Sequence, residues 1–182
     1  MKPELRKKYR ELRDDMPASE RLQADASLNL VMKDLPQVEA ANSVVAFYTH
    51  ESEANVIPFL EWVLETGREL FLPRINHDWL DLVKVESLRD LEKGSFGIYE
   101  PKLQLEASDR TDFDLVLVPG LVFAKDGHRV GYGMGCYDKL LKKITGHSLG
   151  VCYDFQVVDE VPTDDQDVKV DAIITDKSTY II

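Results

Sequence analysis

Leu115-Val116-Leu117-Val118 is a run of branched apolar residues with no polar break. Such a run cannot offer one wet face and one dry face, so as a strand it must be covered on both sides. A sheet with helices on both faces supplies that cover. Other strand-length runs obey the same rule: Ser43-Val44-Val45-Ala46-Phe47-Tyr48, Glu69-Leu70-Phe71-Leu72-Pro73, Leu149-Gly150-Val151-Cys152-Tyr153 and Ala172-Ile173-Ile174. Between the first two of these, Pro58 suits the first turn of a helix and Gly67 its end, which makes a strand-helix-strand crossover and a parallel pairing. The chain is therefore read as α/β, one domain over residues 1–182, with an open, mostly parallel central sheet flanked by helices.

The remaining segments fit around that frame. Leu5, Tyr9, Leu12 and Met16 fall at steps of four, three and four, the spacing of an amphipathic helix that stops before Pro17. Its other faces carry Lys2, Arg6, Lys7, Lys8, Arg10 and Arg13, and Lys2 and Arg6 stand one turn apart, where they can hold an anion jointly. A second helix is expected from a Ser19 cap to about Leu35, before Pro36. Leu80, Leu82, Val83 and Val85 suggest a half-exposed antiparallel strand, residues 94–101 a turn-rich connection, and Tyr180-Ile181-Ile182 an apolar end.

Composition narrows the functions. With 182 residues, 44% hydrophobic, the chain can bury one substantial core, and a net charge of -11 opposes binding to nucleic acid or to anionic membrane surfaces. No apolar run reaches membrane-span length and residues 1–6 lack the apolar centre of a signal peptide, so a cytoplasmic protein, acting as a monomer, is expected. Cys136 and Cys152 are expected as reduced thiols, and neither they nor His50, His77, His128 and His147 show metal-ligand spacing.

Chemistry points to the stretch from residue 118 to residue 138, which follows a buried strand and opens a helix. In an open parallel sheet, ligands bind beyond the carboxyl ends of the strands, where a helix start offers free amide donors. Gly131, Gly133 and Gly135 alternate, so backbone can approach an anion closely. Position 136 is Cys where a dinucleotide fingerprint has its third glycine, and no Gly-Lys-Ser/Thr follows, so the loop matches neither common phosphate motif. A phosphorylated ligand, with Arg129 and Asp138 beside it, is the reading these residues support. Cys136 lies just before the helix, where a thiolate nucleophile is the weaker alternative.

Val118-Pro119-Gly120-Leu121, then Gly127 and Arg129, then Gly131, Gly133, Gly135, Tyr137 and Asp138, resemble the signature of 5-formyltetrahydrofolate cyclo-ligases, also called 5,10-methenyltetrahydrofolate synthetases. Lys2 and Arg6, Phe47-Tyr48 with Glu53, Gly97-Ile98 with Glu100-Pro101, and Val161-Pro162 with Asp167 and Val170-Asp171 resemble that family's other landmarks, in order along the chain. The resemblance implies ATP-driven, magnesium-dependent closure of 5-formyltetrahydrofolate to 5,10-methenyltetrahydrofolate. It implies that Lys2, Arg6, Arg129, Gly131, Tyr132, Gly133, Met134, Gly135, Cys136 and Tyr137 hold ATP. Tyr48, Glu53 and Phe96, with residues 132–136, would meet the folate; Arg129, Tyr137 and Asp138 would act in catalysis; Asp138 and Asp167 would help hold magnesium. Two positions depart from the family pattern: Cys136 replaces an aromatic residue, and Met134 stands where relatives often carry Gly or a basic residue. A non-catalytic folate or nucleotide binder that retains the pocket is the alternative.

Overall fold

The computed structural model describes residues 1–182, the side chain of Ser95 excepted. Helices α1 (Lys2–Asp14), α2 (Ala18–Lys33) and the short α3 (Pro36–Ala40) precede strand β1 (Ser43–Val45). Helix α4 (Ile57–Glu65), the strand pair β2 (Glu69–Asn76) and β3 (Trp79–Val85), and a small hairpin of β4 (Leu91–Lys93) and β5 (Tyr99–Pro101) follow. Then come β6 (Asp112–Val118), β7 (Val122–Ala124), β8 (Arg129–Val130), α5 (Cys136–Lys143) and β9 (Thr145–Val151). Strands β10 (Val157–Val158), β11 (Ala172–Ile174) and β12 (Thr179–Ile181) end the chain.

Seven strands form the main sheet in the order β12-β11-β9-β6-β1-β2-β3. From β11 to β2 every pairing is parallel. The two edges, β12 and β3, are antiparallel. The alternation read in residues 80–85 is thus an edge strand, and β6, the strand without a polar break, lies in the middle.

Both faces of β6 are covered, as its sequence demands. Leu115 and Leu117 pack with Leu28 and Met32 of α2, Val38 of α3 and Phe59, Leu60 and Val63 of α4. Val116 and Val118 face the other way, toward Leu140 of α5 and Phe123 of β7. Phe113 shares that second face although strict alternation would put it with Leu115; the register shifts between Asp112 and Leu115, and one irregular residue reverses the phase.

Between β6 and the glycine loop the chain makes a detour the sequence reading lacked. β7 and β8 pair with each other and β7 with β10, forming a separate three-stranded sheet. α1 lies on it through Tyr9, packed with Leu121, Val122 and Val130. Phe123 locks this sheet to the main one, because its ring fills the space left by two glycines. A Cβ on Gly150 would stand 2.4 Å from Phe123 Cε1, and one on Gly120 2.7 Å from Cε2.

Several boundaries also differ. α2 starts at Ala18 after Pro17, with Ser19 inside the first turn and no side-chain cap. Pro36 opens α3 rather than merely ending α2, since a first-turn proline needs no amide partner. Residues 94–101 close a hairpin. No helix among the described residues is long and apolar enough to cross a membrane.

Two outcomes are expected from this packing. Gly150→Ala should lower stability by about 1–3 kcal/mol through overpacking, measured by urea denaturation, and Phe123→Leu should recover part of that loss in the double variant. The Asp114 carboxylate accepts from Asn42 N (2.9 Å), Ser43 N (2.9 Å) and Ser43 Oγ (3.0 Å), and these bonds, led by that from Asn42, hold it below its ordinary pKa. A depressed pKa gives stability that is present above the unfolded value and lost as pH falls through the folded one. Wild type should therefore exceed Asp114→Ala in urea midpoint at about pH 7, and the gap should narrow below about pH 4.

Candidate active site

Residues 131–135 join β8 to α5, and their glycines serve different ends. Gly133 has φ +110° and Gly135, the N-cap of α5, φ +66°, conformations that a side chain disfavours. Gly133 also lies under an arginine: a Cβ there would be 3.3 Å from Arg6 Cζ. Gly131 has neither constraint, since an added Cβ would meet nothing within 4 Å, so its glycine leaves space open in front of the loop. Arg6 Nε donates to the Gly131 carbonyl at 2.9 Å and ties the loop to α1. No side chain caps the start of α5, which leaves its first amides free to meet an anion.

The loop forms one wall of a cleft of about 560 Å³, a size usual for small-molecule sites. One end is cationic. Arg129, 6% exposed, donates from Nη2 to Asp138 Oδ1 (2.9 Å) and from Nη1 to the Val168 carbonyl (2.7 Å). Burial lowers the Arg129 pKa, and the charge of Asp138 opposes that change. Lys2 reaches from α1 to Asp164 (2.7 Å) and Asp167 (2.8 Å). Burial alone would lower the Lys2 ammonium, but its bonds to those two carboxylates leave it raised. Lys139 and Lys142, one turn apart on α5, also line the cleft. Sequence reading passed over both, although their spacing on a helix that follows the loop was a signal.

The other end is aromatic and holds two buried carboxylates, Glu53 and Glu100. Glu53, 9% exposed, accepts from the Tyr132 hydroxyl at Oε1 (2.6 Å) and from His50 N at Oε2 (2.9 Å). Burial raises its pKa, against the lowering effect of those bonds and of Arg13. Burial likewise pushes up the phenols of Tyr132 and Tyr137, so both are hydroxyl donors at neutral pH. Tyr48 lines this end and packs on Tyr99 with ring centroids 5.5 Å apart.

Most residues singled out from sequence thus converge on one cleft: Lys2, Arg6, Tyr48, Glu53, Arg129, residues 131–138 and Asp167 all line it. Phe96 does not. It is 75% exposed with φ +57° at the turn of the β4–β5 hairpin, and this turn aims it outward while Ile98, Tyr99 and Glu100 face the cleft. Cys136 donates to the Asp78 carbonyl at 3.6 Å and burial raises its pKa, which disfavours a thiolate. Arg13, which does not itself line the cleft, donates from Nη2 to the Tyr132 hydroxyl at 3.0 Å.

For a divalent cation the cleft offers hard oxygen donors. Both hydrogen bonds to Asp138, from Arg129 and from Val168 N, fall on Oδ1. Asp167 is held by Lys2 and by Asp164 N. Among the described residues no group of three or more His, Cys, Asp or Glu is arranged to hold a metal. Such a donor set fits magnesium, which commonly takes one or two carboxylates and completes its shell with water and substrate phosphates.

Comparison with known proteins agrees with this geometry. A model of the 5-formyltetrahydrofolate cyclo-ligase family matches residues 1–176. The 5-formyltetrahydrofolate cyclo-ligase of Mus musculus is 30% identical over 98% of this chain and 93% of its own length. That of Escherichia coli is 25% identical over 82% of this chain and 86% of its own. Among solved structures, the 5,10-methenyltetrahydrofolate synthetase of Aquifex aeolicus superposes with a TM-score of 0.89 at 34% identity, covering 99% of this chain and 92% of its own. A family match along nearly the whole length, joined to a fold shared with that synthetase, means that the chain belongs to the 5-formyltetrahydrofolate cyclo-ligase family and is an enzyme of the ligase class.

Proposed function

We propose that this chain converts 5-formyltetrahydrofolate and ATP to 5,10-methenyltetrahydrofolate, ADP and phosphate. The observation that carries the reading is that one cleft joins two groups of residues, the cations Lys2, Arg6 and Arg129, and aromatic rings with the buried carboxylates Glu53 and Glu100, with the glycine loop lining it as well. Phosphate chains need the first; a flat heterocycle with amino and amide donors suits the second.

The chemistry asks for positioning and for charge. A formamide oxygen leaves poorly; once the γ-phosphoryl group is transferred to it, N10 can attack the formyl carbon and phosphate departs. Arg129, fixed by two hydrogen bonds, presents a preorganised cation, and the amides from Gly131 to Gly135 would hold phosphate oxygens. Lys2 and Arg6 add charge from α1. Glu53 accepts from the pterin edge, and Tyr48 and Tyr132 give the ring apolar surface. Asp138 and Asp167 would hold a magnesium ion, which would supply positive charge to the phosphates. All of these groups come from one copy of the chain.

The direct test is the rise in methenyltetrahydrofolate absorbance when the protein meets 5-formyltetrahydrofolate, magnesium and ATP. ATP-dependent signal is expected; folate binding without turnover would instead identify a binder that kept only the pocket. Arg129→Lys keeps a charge but loses the planar fork, so kcat should fall about 10- to 100-fold with a rise in ATP KM. Asp138→Asn should raise the magnesium concentration for half-maximal rate, and an unchanged requirement would remove Asp138 from the metal site. Glu53→Gln should raise folate KM about tenfold with ATP KM little changed.

A further inference from the structure

Arg13 is 1% exposed, yet it is a cation without an ion-pair partner among the described residues. Its Nε, fully buried, has no hydrogen-bond partner there either. A buried charge left this bare is costly, so it calls for a reason beyond packing. The guanidinium donates to the Tyr132 hydroxyl at 3.0 Å, and Tyr132 donates to Glu53 Oε1 at 2.6 Å. Because a guanidinium has donors only, the Tyr132 oxygen must accept from it, and the one phenolic proton must then point at Glu53. The direction of the chain is thereby fixed. His50 N holds the second carboxylate oxygen at 2.9 Å.

We propose that Arg13 is a positioning residue for the folate end of the cleft: through the Tyr132 hydroxyl it fixes the orientation of Glu53 and supplies the buried positive charge that balances it. The proposal rests on the reading that Glu53 meets the pterin. The link runs from α1 to the glycine loop to the loop after β1, so it also joins the two ends of the cleft. Arg21 of α2 supports the same loop by donating to the Ser52 carbonyl at 2.9 Å. The groups that face Glu53 are Arg13 from α1, Tyr132 from the glycine loop, Tyr137 from α5, and His50 from its own loop. Burial drives Glu53 toward protonation while Arg13 and Tyr132 oppose it. A protonated Glu53 loses acceptor capacity, so removal of Arg13 should move the loss of folate affinity to higher pH.

The test compares wild type, Arg13→Met and Arg13→Lys by titrating the Glu53 carboxyl with 13C NMR, assigned with Glu53→Gln, and by measuring KM for both substrates against pH. Arg13→Met should shift the Glu53 midpoint upward by about one unit and raise folate KM about tenfold near neutral pH, with ATP KM within about twofold. Arg13→Lys should recover part of both changes. A purely structural arginine would move both KM values together and leave the titration alone. Should Arg13→Met fail to fold, Tyr132→Phe cuts the same link at the hydroxyl and should shift Glu53 in the same direction. Equal Glu53 midpoints in wild type and in the folded variants overturn the proposal while folate turnover stands. A wild-type chain that neither binds nor converts folate overturns the folate reading and this proposal with it.

Discussion

The ion pair of buried Arg129 and half-buried Asp138 closes the glycine loop at its base. Arg129 precedes the loop and Asp138 follows it, and their 2.9 Å bond, with the second arginine bond to Val168, ties β8, α5 and the segment before β11 to one point. Removing Asp138 leaves Arg129 as an uncompensated buried charge, typically worth about 3–5 kcal/mol. With the base fixed, residues 131–135 can remain open toward the cleft without losing their place, even though Gly131 and Gly135 touch nothing an added Cβ would meet.

The sheet places that pair where it can work. Double-sided burial of β6 requires α2, α3 and α4 on one face and α5 with β7 on the other, which leaves the strand ends as the place for exposed backbone donors. The small sheet β10-β7-β8 carries α1 across to the same side, so Lys2, Arg6 and Arg13 arrive beside residues from far along the chain. Charge is then sorted within the cleft. Cations paired with Asp164, Asp167 and Asp138 collect at one end, and Glu53 stands at the other, buried and balanced through a hydroxyl.

The two tyrosines of the loop region show why the site is a unit rather than two neighbouring pockets. Tyr132 bonds to both Arg13 and Glu53. Tyr137, raised in pKa by its burial and by Glu53, remains a neutral phenol beside Arg129. A ligand that moves the loop must act on both ends, since the same hydroxyl that orients the carboxylate belongs to the residue next to Gly131 and Gly133.

How much was legible follows from the range of each signal. The strands at residues 43, 69, 115, 149 and 172 were readable because unbroken apolar runs have few ways to be buried, and the antiparallel edge β3 because period-two alternation marks a half-exposed strand. The glycine loop, Arg129 and Asp138 were readable from their motif, and Glu53 was singled out only through the family resemblance. Phe96 was misplaced because a local φ of +57° decides its direction, and the detour through β7 and β8 was missed because two- and three-residue strands leave no periodicity. Arg13 had no sequence signal apart from its basic neighbours: its spacing marks a helix, and only the packing of α1 on the small sheet buries it beside Tyr132. The sequence by itself thus determined the main sheet, its helical cover and the glycines of the loop, since burial and backbone freedom act locally. The tertiary structure decided which distant charges meet, because a partner 79 or 119 residues away along the chain, as in the Tyr132 bonds to Glu53 and Arg13, is chosen by packing rather than by spacing.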